Sequence, residues 1–183
     1  MCQRVVRRFM GDRRYSYVVL TPDELAMCAE IALQRTGANR QAGAKNRLGS
    51  GPSSERLGVE AEYAYCRYEG VEPRLLEDSW AHTADCIAHG WRVDVKGTRG
   101  WDLKVEPEKK GDRVDVYVSV TRAPGFADTF LIVGYEWADL VWMEDKLVEH
   151  QARDGRRYHA YTILERSLRP IEGLRYGRQG VMF

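Results

Sequence analysis

The stretch Ala84-Asp85-Cys86-Ile87-Ala88-His89-Gly90-Trp91-Arg92-Val93-Asp94-Val95-Lys96 decides how this chain reads. Apolar and polar residues alternate along it with a period of two, as in a strand with one face in a core. His89-Gly90 has the form of a two-residue hairpin turn, in which the second residue takes positive φ most easily when it is Gly. Such a turn sets Ala88 opposite Trp91 and Ile87 opposite Arg92. The same register carries Asp85 across from Asp94. Alternation then puts Asp94 and Lys96 on one face and Val93 and Val95 on the other.

Like charges set opposite each other in a sheet are unfavourable, so a pair of acids at this spacing asks for a cation between them. Hard divalent cations such as magnesium take carboxylate and carbonyl oxygens and keep waters or a substrate phosphate as further ligands. Asp85, Asp94 and the backbone carbonyl of Val95 form such a set. Lys96 stands beside it, able to orient or help deprotonate an attacking water. The triplet alone is common, since an acid two residues before a lysine occurs four times here. Only Asp94-Val95-Lys96 sits in an apolar strand and follows a hairpin-spaced Asp.

Working outward, Thr21-Pro22-Asp23-Glu24 reads as a helix start. Thr21 is the N-cap, Pro22 the first helical residue and Glu24 the partner in a capping box, with the helix running to about residue 35. Residues 37–54 are rich in Gly, Ser and basic residues and read as a mobile loop or linker. A second helix is expected over about 54–68, ended by Gly70 and Pro73. Leu57, Ala61, Ala64, Tyr65 and Tyr68 would form its buried face, and its small residues would let it approach a sheet closely. Strands are expected at 84–88, 91–98, 103–106, 114–120, 130–135 and 158–163. Residues 137–146 fit either a short strand or a helical turn.

The chain of 183 residues can bury one core, and 44% hydrophobic with 30% charged residues is ordinary for a globular protein. Cys2, Cys28, Cys66 and Cys86 lie far apart with no Cys-x-x-Cys pair, which argues against a zinc ribbon or a disulfide framework. No apolar run is long enough for a membrane span or a secretion signal, so a cytoplasmic, non-membrane protein is expected. The formal net charge is only +1. Its distribution says more: Arg4, Arg7, Arg8, Arg13 and Arg14 crowd the first fourteen residues against one acid. Arg35, Arg40, Lys45 and Arg47 stand in an acid-free stretch, and seven arginines follow residue 150. Basic segments around an acid-containing centre suit a protein that grips phosphates while holding a metal.

With these residues in view, the chain resembles the PD-(D/E)XK nuclease superfamily, and within it small bacteriophage-type members. The resemblance rests on Gly58-Val59-Glu60-Ala61-Glu62-Tyr63-Ala64 on a helix, the Asp85 strand, and Val93-Asp94-Val95-Lys96-Gly97-Thr98. It continues through residues 114–120 and 131–135, with a closing stretch at Leu168-Arg169-Pro170-Ile171. It covers about residues 55–143. No proline precedes Asp85, and the segment between Val120 and Phe130 is too short for the helix that many relatives carry there.

The resemblance implies an α/β fold with a mixed central sheet flanked by helices, a restriction-endonuclease-like core. It also implies a requirement for Mg2+ or Mn2+ and hydrolysis of DNA phosphodiesters. Carried over by position, Asp85, Asp94 and the helix glutamate are metal ligands and Lys96 is the motif lysine. The helix glutamate falls on Glu62 or Glu60, with Glu62 the better fit, and Asp78 is the alternative to Asp85. The division expected is a basic N-terminal segment over 1–54 and a nuclease core over 55–183. Thr98 and Arg99 are expected at phosphate, and Arg40, Lys45 and Arg47 on a loop that closes over DNA.

His82 and His89 flank the Asp85 strand, while His150 and His159 read as surface groups. Trp91, Trp101, Trp137 and Trp142 read as core residues first and base-stacking residues second. The expected activity is endonucleolytic, with structure-directed cutting as its mode and a homodimer left open. Two rivals stand beside it: a nuclease fold that binds nucleic acid without cutting, and a phosphodiesterase acting on RNA or a nucleotide.

Overall fold

A computed structural model describes residues 7–8, 14–41, 52–75, 84–152 and 155–177. In chain order the elements are β1 (Arg7–Arg8), β2 (Arg14–Val19), α1 (Pro22–Gln41), α2 (Pro52–Glu69), β3 (Cys86–Ala88), β4 (Trp91–Thr98) and β5 (Leu103–Val105). They continue with β6 (Val116–Arg122), β7 (Thr129–Trp137), α3 (Ala138–Val141), β8 (Leu147–Gln151) and β9 (Arg157–Ile163). Short 3-10 helices punctuate the second half.

The main sheet is mixed, in the order β1-β2-β7-β6-β4-β3. Only β4 and β6 run parallel; the other neighbours are antiparallel. Strands covered on both faces read as continuous apolar runs, and β7, Thr-Phe-Leu-Ile-Val-Gly-Tyr-Glu-Trp, is buried at every position. One face of the sheet lies under α2, which presents Ala61, Ala64, Tyr65 and Tyr68 to Val93, Val95, Val118 and Phe130. α1 packs along α2 through Cys28, Ile31, Ala32 and Val59. The other face is covered by a second antiparallel sheet, β5-β9-β8, through Leu103, Val105, Tyr117, Tyr161 and Ile163.

The α/β class and the mixed sheet are therefore as expected, but the helices flank one face and a three-stranded sheet covers the other. The parallel step from β4 to β6 crosses through β5 of that second sheet where a helix commonly makes such a crossover. Within the segment before residue 54, β2 belongs to the same core: it pairs with β7, and Tyr15, Val18 and Leu20 are buried. Part of the expected 37–54 loop is helical, since α1 continues to Gln41 and α2 starts at Pro52. Residues 42–51 lie outside the described residues.

Local chemistry accounts for the parts that place the site. At the start of α1, the Glu24 N–H donates to Thr21 Oγ1 at 3.3 Å and the Thr21 N–H to Glu24 Oε2 at 2.7 Å, the reciprocal capping box. His89 and Gly90 both take positive φ, +53° and +81°, which matches the right-handed twist of the β3–β4 hairpin. Gly97 lets α2 sit close on β4: a Cβ there would lie 2.8 Å from the Leu57 carbonyl oxygen and 3.1 Å from Ala61 Cβ. That close approach brings the α2 backbone, and Glu62 with it, down onto the edge of the strand that carries Asp94 and Lys96.

Candidate metal centre and its surroundings

The β3–β4 hairpin has the register read from the sequence, Ala88↔Trp91, Ile87↔Arg92 and Cys86↔Val93. β3 begins at Cys86 instead of Ala84, so Asp85 stands just outside the ladder. Its N–H still donates to the Val93 carbonyl at 2.8 Å, while its carboxylate Oδ2 accepts the Val95 N–H at 2.6 Å. A side-chain oxygen thus takes the place of a backbone acceptor on the edge of β4, which is why β3 begins one residue later, at Cys86. In an extended strand the N–H and C=O of one residue point to the same side. The Val95 carbonyl therefore faces this same edge, beside Asp85.

Val93 and Val95 turn toward α2 in the main core. Asp94 and Lys96 share the opposite face, joined by an ion pair between Nζ and Oδ1, with Lys96 5.7 Å from the centre of the Tyr117 ring. Asp94 is 4% exposed, and its Oδ1 makes that ion pair without an aligned hydrogen bond. Glu62 is buried as well. Both its oxygens are engaged by Arg35 of α1, at 2.9 and 2.7 Å, and the same guanidinium donates to the Leu75 carbonyl. Glu60, two residues earlier, turns away to Arg56 and Arg122, so Glu62 is the glutamate of α2 that neighbours the Asp85–Asp94 edge.

The electrostatics join these groups. Burial pushes the Asp85 carboxyl well above its usual range, and the negative charges of Glu62 and Asp94 push it further; Lys96 and the Val95 N–H pull it back. Burial also raises the Glu62 carboxyl, against the pull of Arg35. For Lys96, burial works against the charge, but Asp94 and Asp85 outweigh it and the net shift is upward. Three acids, Asp85, Asp94 and Glu62, meet two cations, Lys96 and Arg35. A buried ion left uncompensated costs several kcal/mol, roughly, so the cluster as it stands calls for a proton on Asp85 or for a cation.

The donors available to a divalent metal are a smaller set than three carboxylates. Among the described residues no group of three or more His, Cys, Asp or Glu side chains is drawn together to hold a metal, and Arg35 accounts for Glu62. Asp85, Asp94 and the Val95 carbonyl remain, all oxygen donors, with Asp94 Oδ1 lacking an aligned hydrogen bond.

The other expected residues are placed as follows. Thr98 donates its hydroxyl to the Gly100 carbonyl at 2.6 Å, and Arg99 donates to the Ser53 hydroxyl at 2.9 Å. Arg40 lies in the last turn of α1, and Lys45, Arg47, Asp78 and His82 lie outside the described residues. His89 pairs with Glu69, and His150 with the Thr162 hydroxyl. The four described tryptophans pack on aromatic neighbours: Trp91 on Trp137, Trp142 on Tyr117 and Tyr161, and Trp101 on Tyr15. Trp137 is a core residue, while Trp91, Trp101 and Trp142 are partly buried against the core. Arg35 was read only as part of a basic run, because nothing local marks a contact that spans twenty-seven residues.

No helix among the described residues is long and apolar enough to cross a membrane. Compared with known protein families, with curated proteins and with solved structures, the chain matches none of them.

Proposed function

We propose that this chain is a metal-dependent nuclease that hydrolyses DNA phosphodiesters, with the PD-(D/E)XK superfamily as its family. The observation that carries this reading is the meeting of buried Asp94 and half-buried Asp85 with Lys96 at one strand edge, an arrangement short of one positive charge. A structural protein gains nothing by burying that deficit, whereas a divalent ion and a phosphate would complete it.

Asp85, Asp94 and the Val95 carbonyl would hold Mg2+, with Mn2+ as a substitute. Bound there, the ion supplies Lewis acidity at the phosphate and acidifies water. The chain's own residues do the rest. Lys96, 22% exposed at its side chain, opens onto the adjoining hollow. From there its ammonium can hold an attacking water in line or neutralise a non-bridging phosphate oxygen. Arg35 holds Glu62 beside the centre, where its negative charge favours binding of a cation at Asp85 and Asp94.

The reading is tested by incubating the chain with supercoiled plasmid, RNA and a small phosphodiester, each with Mg2+, Mn2+ or chelator. Metal-dependent scission of DNA supports it. Cleavage confined to RNA or the small diester moves the assignment to another phosphodiesterase. A folded chain that cuts nothing leaves the binding module.

A further inference from the structure

Two hollows meet across Thr98-Arg99, immediately beyond the motif lysine. The first, of about 460 Å³, is lined by Lys96, Arg99, Trp101, Lys104, Lys109 and Tyr158, with the acids Asp102 and Glu106 at its margin. The second, of about 520 Å³, is lined by Ser53, Arg56, Thr98, Arg99, Thr121 and Arg122. Thr98 and Arg99 line both, so a chain lying over them would occupy the two at once.

The chemistry of the halves differs. The second hollow holds three guanidiniums, those of Arg56, Arg99 and Arg122, and one carboxylate, the fully buried Glu60, which pairs with Arg56 and Arg122. Arg99 reaches only hydroxyls, Ser53 at 2.9 Å and Ser54 at 3.5 Å, and among the described residues it has no carboxylate partner. The surplus is two positive charges, and the neighbours are hydroxyl donors, as a phosphate requires. The Nε of Arg122 is buried with no hydrogen-bond partner.

In the first hollow the distinctive groups are flat. Trp101 packs against Tyr15, with ring centres 5.4 Å apart, and Tyr158 stacks on His150 at 5.3 Å and 25°. Each is half-buried and lines the cavity. Aromatic faces beside lysines, in a space of small-molecule size, accept a base that has left its stack. A paired base in a duplex cannot present its face this way.

Resting on the nuclease reading, we propose that the two hollows form a track for a single polynucleotide strand. A phosphate next to the cut sits among Arg56, Arg99 and Arg122, and an unpaired base lies against Trp101 and Tyr158. The substrate at the cut is then single-stranded or splayed, which names the class within the nuclease reading.

Binding in chelator tests this without requiring cleavage. Labelled oligothymidine and oligouridine, and a duplex of equal length, are titrated with the full chain by fluorescence anisotropy over a salt series. Either strand should bind about tenfold or more tightly than the duplex, and Tyr158→Ala should remove that preference. Arg99→Ala unpairs no described carboxylate, so the variant keeps its fold, and it should lower the salt slope of strand binding by about 0.7. Equal or tighter duplex binding, or strand binding unchanged in both variants, overturns the track. A chain that shows the preference but never cuts with metal keeps the track and loses the nuclease reading. Cutting without the preference loses the track alone.

Discussion

Arg35 of α1 grips Glu62 of α2 through two hydrogen bonds, 2.9 and 2.7 Å, across two side chains that are 13% and 11% exposed. The pair ties the two helices together at the point where α2 meets the Asp94 strand. Removing one partner of a buried pair leaves the other uncompensated, at about 3–5 kcal/mol. Arg35→Met should therefore lower stability by about 3 kcal/mol in urea unfolding, and Glu62→Leu added to it should restore most of that. A single variant within about 1 kcal/mol of the parent would mean that the pair is solvated and does not lock the helices.

Asp85 yields a pH prediction for the metal-free protein. Burial, then the charges of Glu62 and Asp94, raise its carboxyl above the unfolded value of about 3.9. The folded state then holds the proton more tightly. That contribution is full below the unfolded pKa and is lost as pH rises through the raised folded pKa. Asp85→Asn keeps an oxygen for the Val95 N–H and removes the charge. In chelator it should be more stable than the parent at neutral pH, with a flatter dependence across the acid range. Urea midpoints over pH check this, and a variant less stable than the parent at neutral pH would contradict it.

Two glycines separate packing from helix propensity. Gly58 is in α2 with open space where a Cβ would go, so Gly58→Ala should stabilise by about 0.5–1 kcal/mol. At Gly97 the Cβ meets the backbone oxygen of Leu57, which cannot move without the helix. Gly97→Ala should cost about 1–3 kcal/mol and weaken metal-dependent activity by lifting α2 from β4. Thermal unfolding of both variants checks the contrast. Equal effects would mean that the close approach is not needed.

Much of this was legible because it is local. His89-Gly90 sets a register by turn geometry alone, and that register places Asp85, Asp94 and Lys96 on one strand pair. Thr21 and Glu24 mark a helix start within four residues. β7 is a continuous apolar run. What was not legible depends on partners distant in sequence. β8 is short, and most of Leu-Val-Glu-His-Gln is exposed, so no alternation announces it. β2 follows a basic segment, and its burial comes from pairing with β7, more than a hundred residues on. Neither the second sheet nor the parallel crossover through β5 could be read before those pairings were known. Arg35 read only as one member of a basic run until the fold set it beside the buried Glu62.

The central claim is that Asp94 and Lys96 serve metal-dependent cleavage. Plasmid scission with Mg2+ is the direct measurement, made on the parent, Asp94→Asn and Lys96→Ala, with unfolding and DNA binding measured on the same preparations. Both variants should fold and bind DNA, yet lose scission by a hundredfold or more, the order of effect for a group that acts on charge in the transition state. Folded variants that cut at the parental rate would contradict the claim.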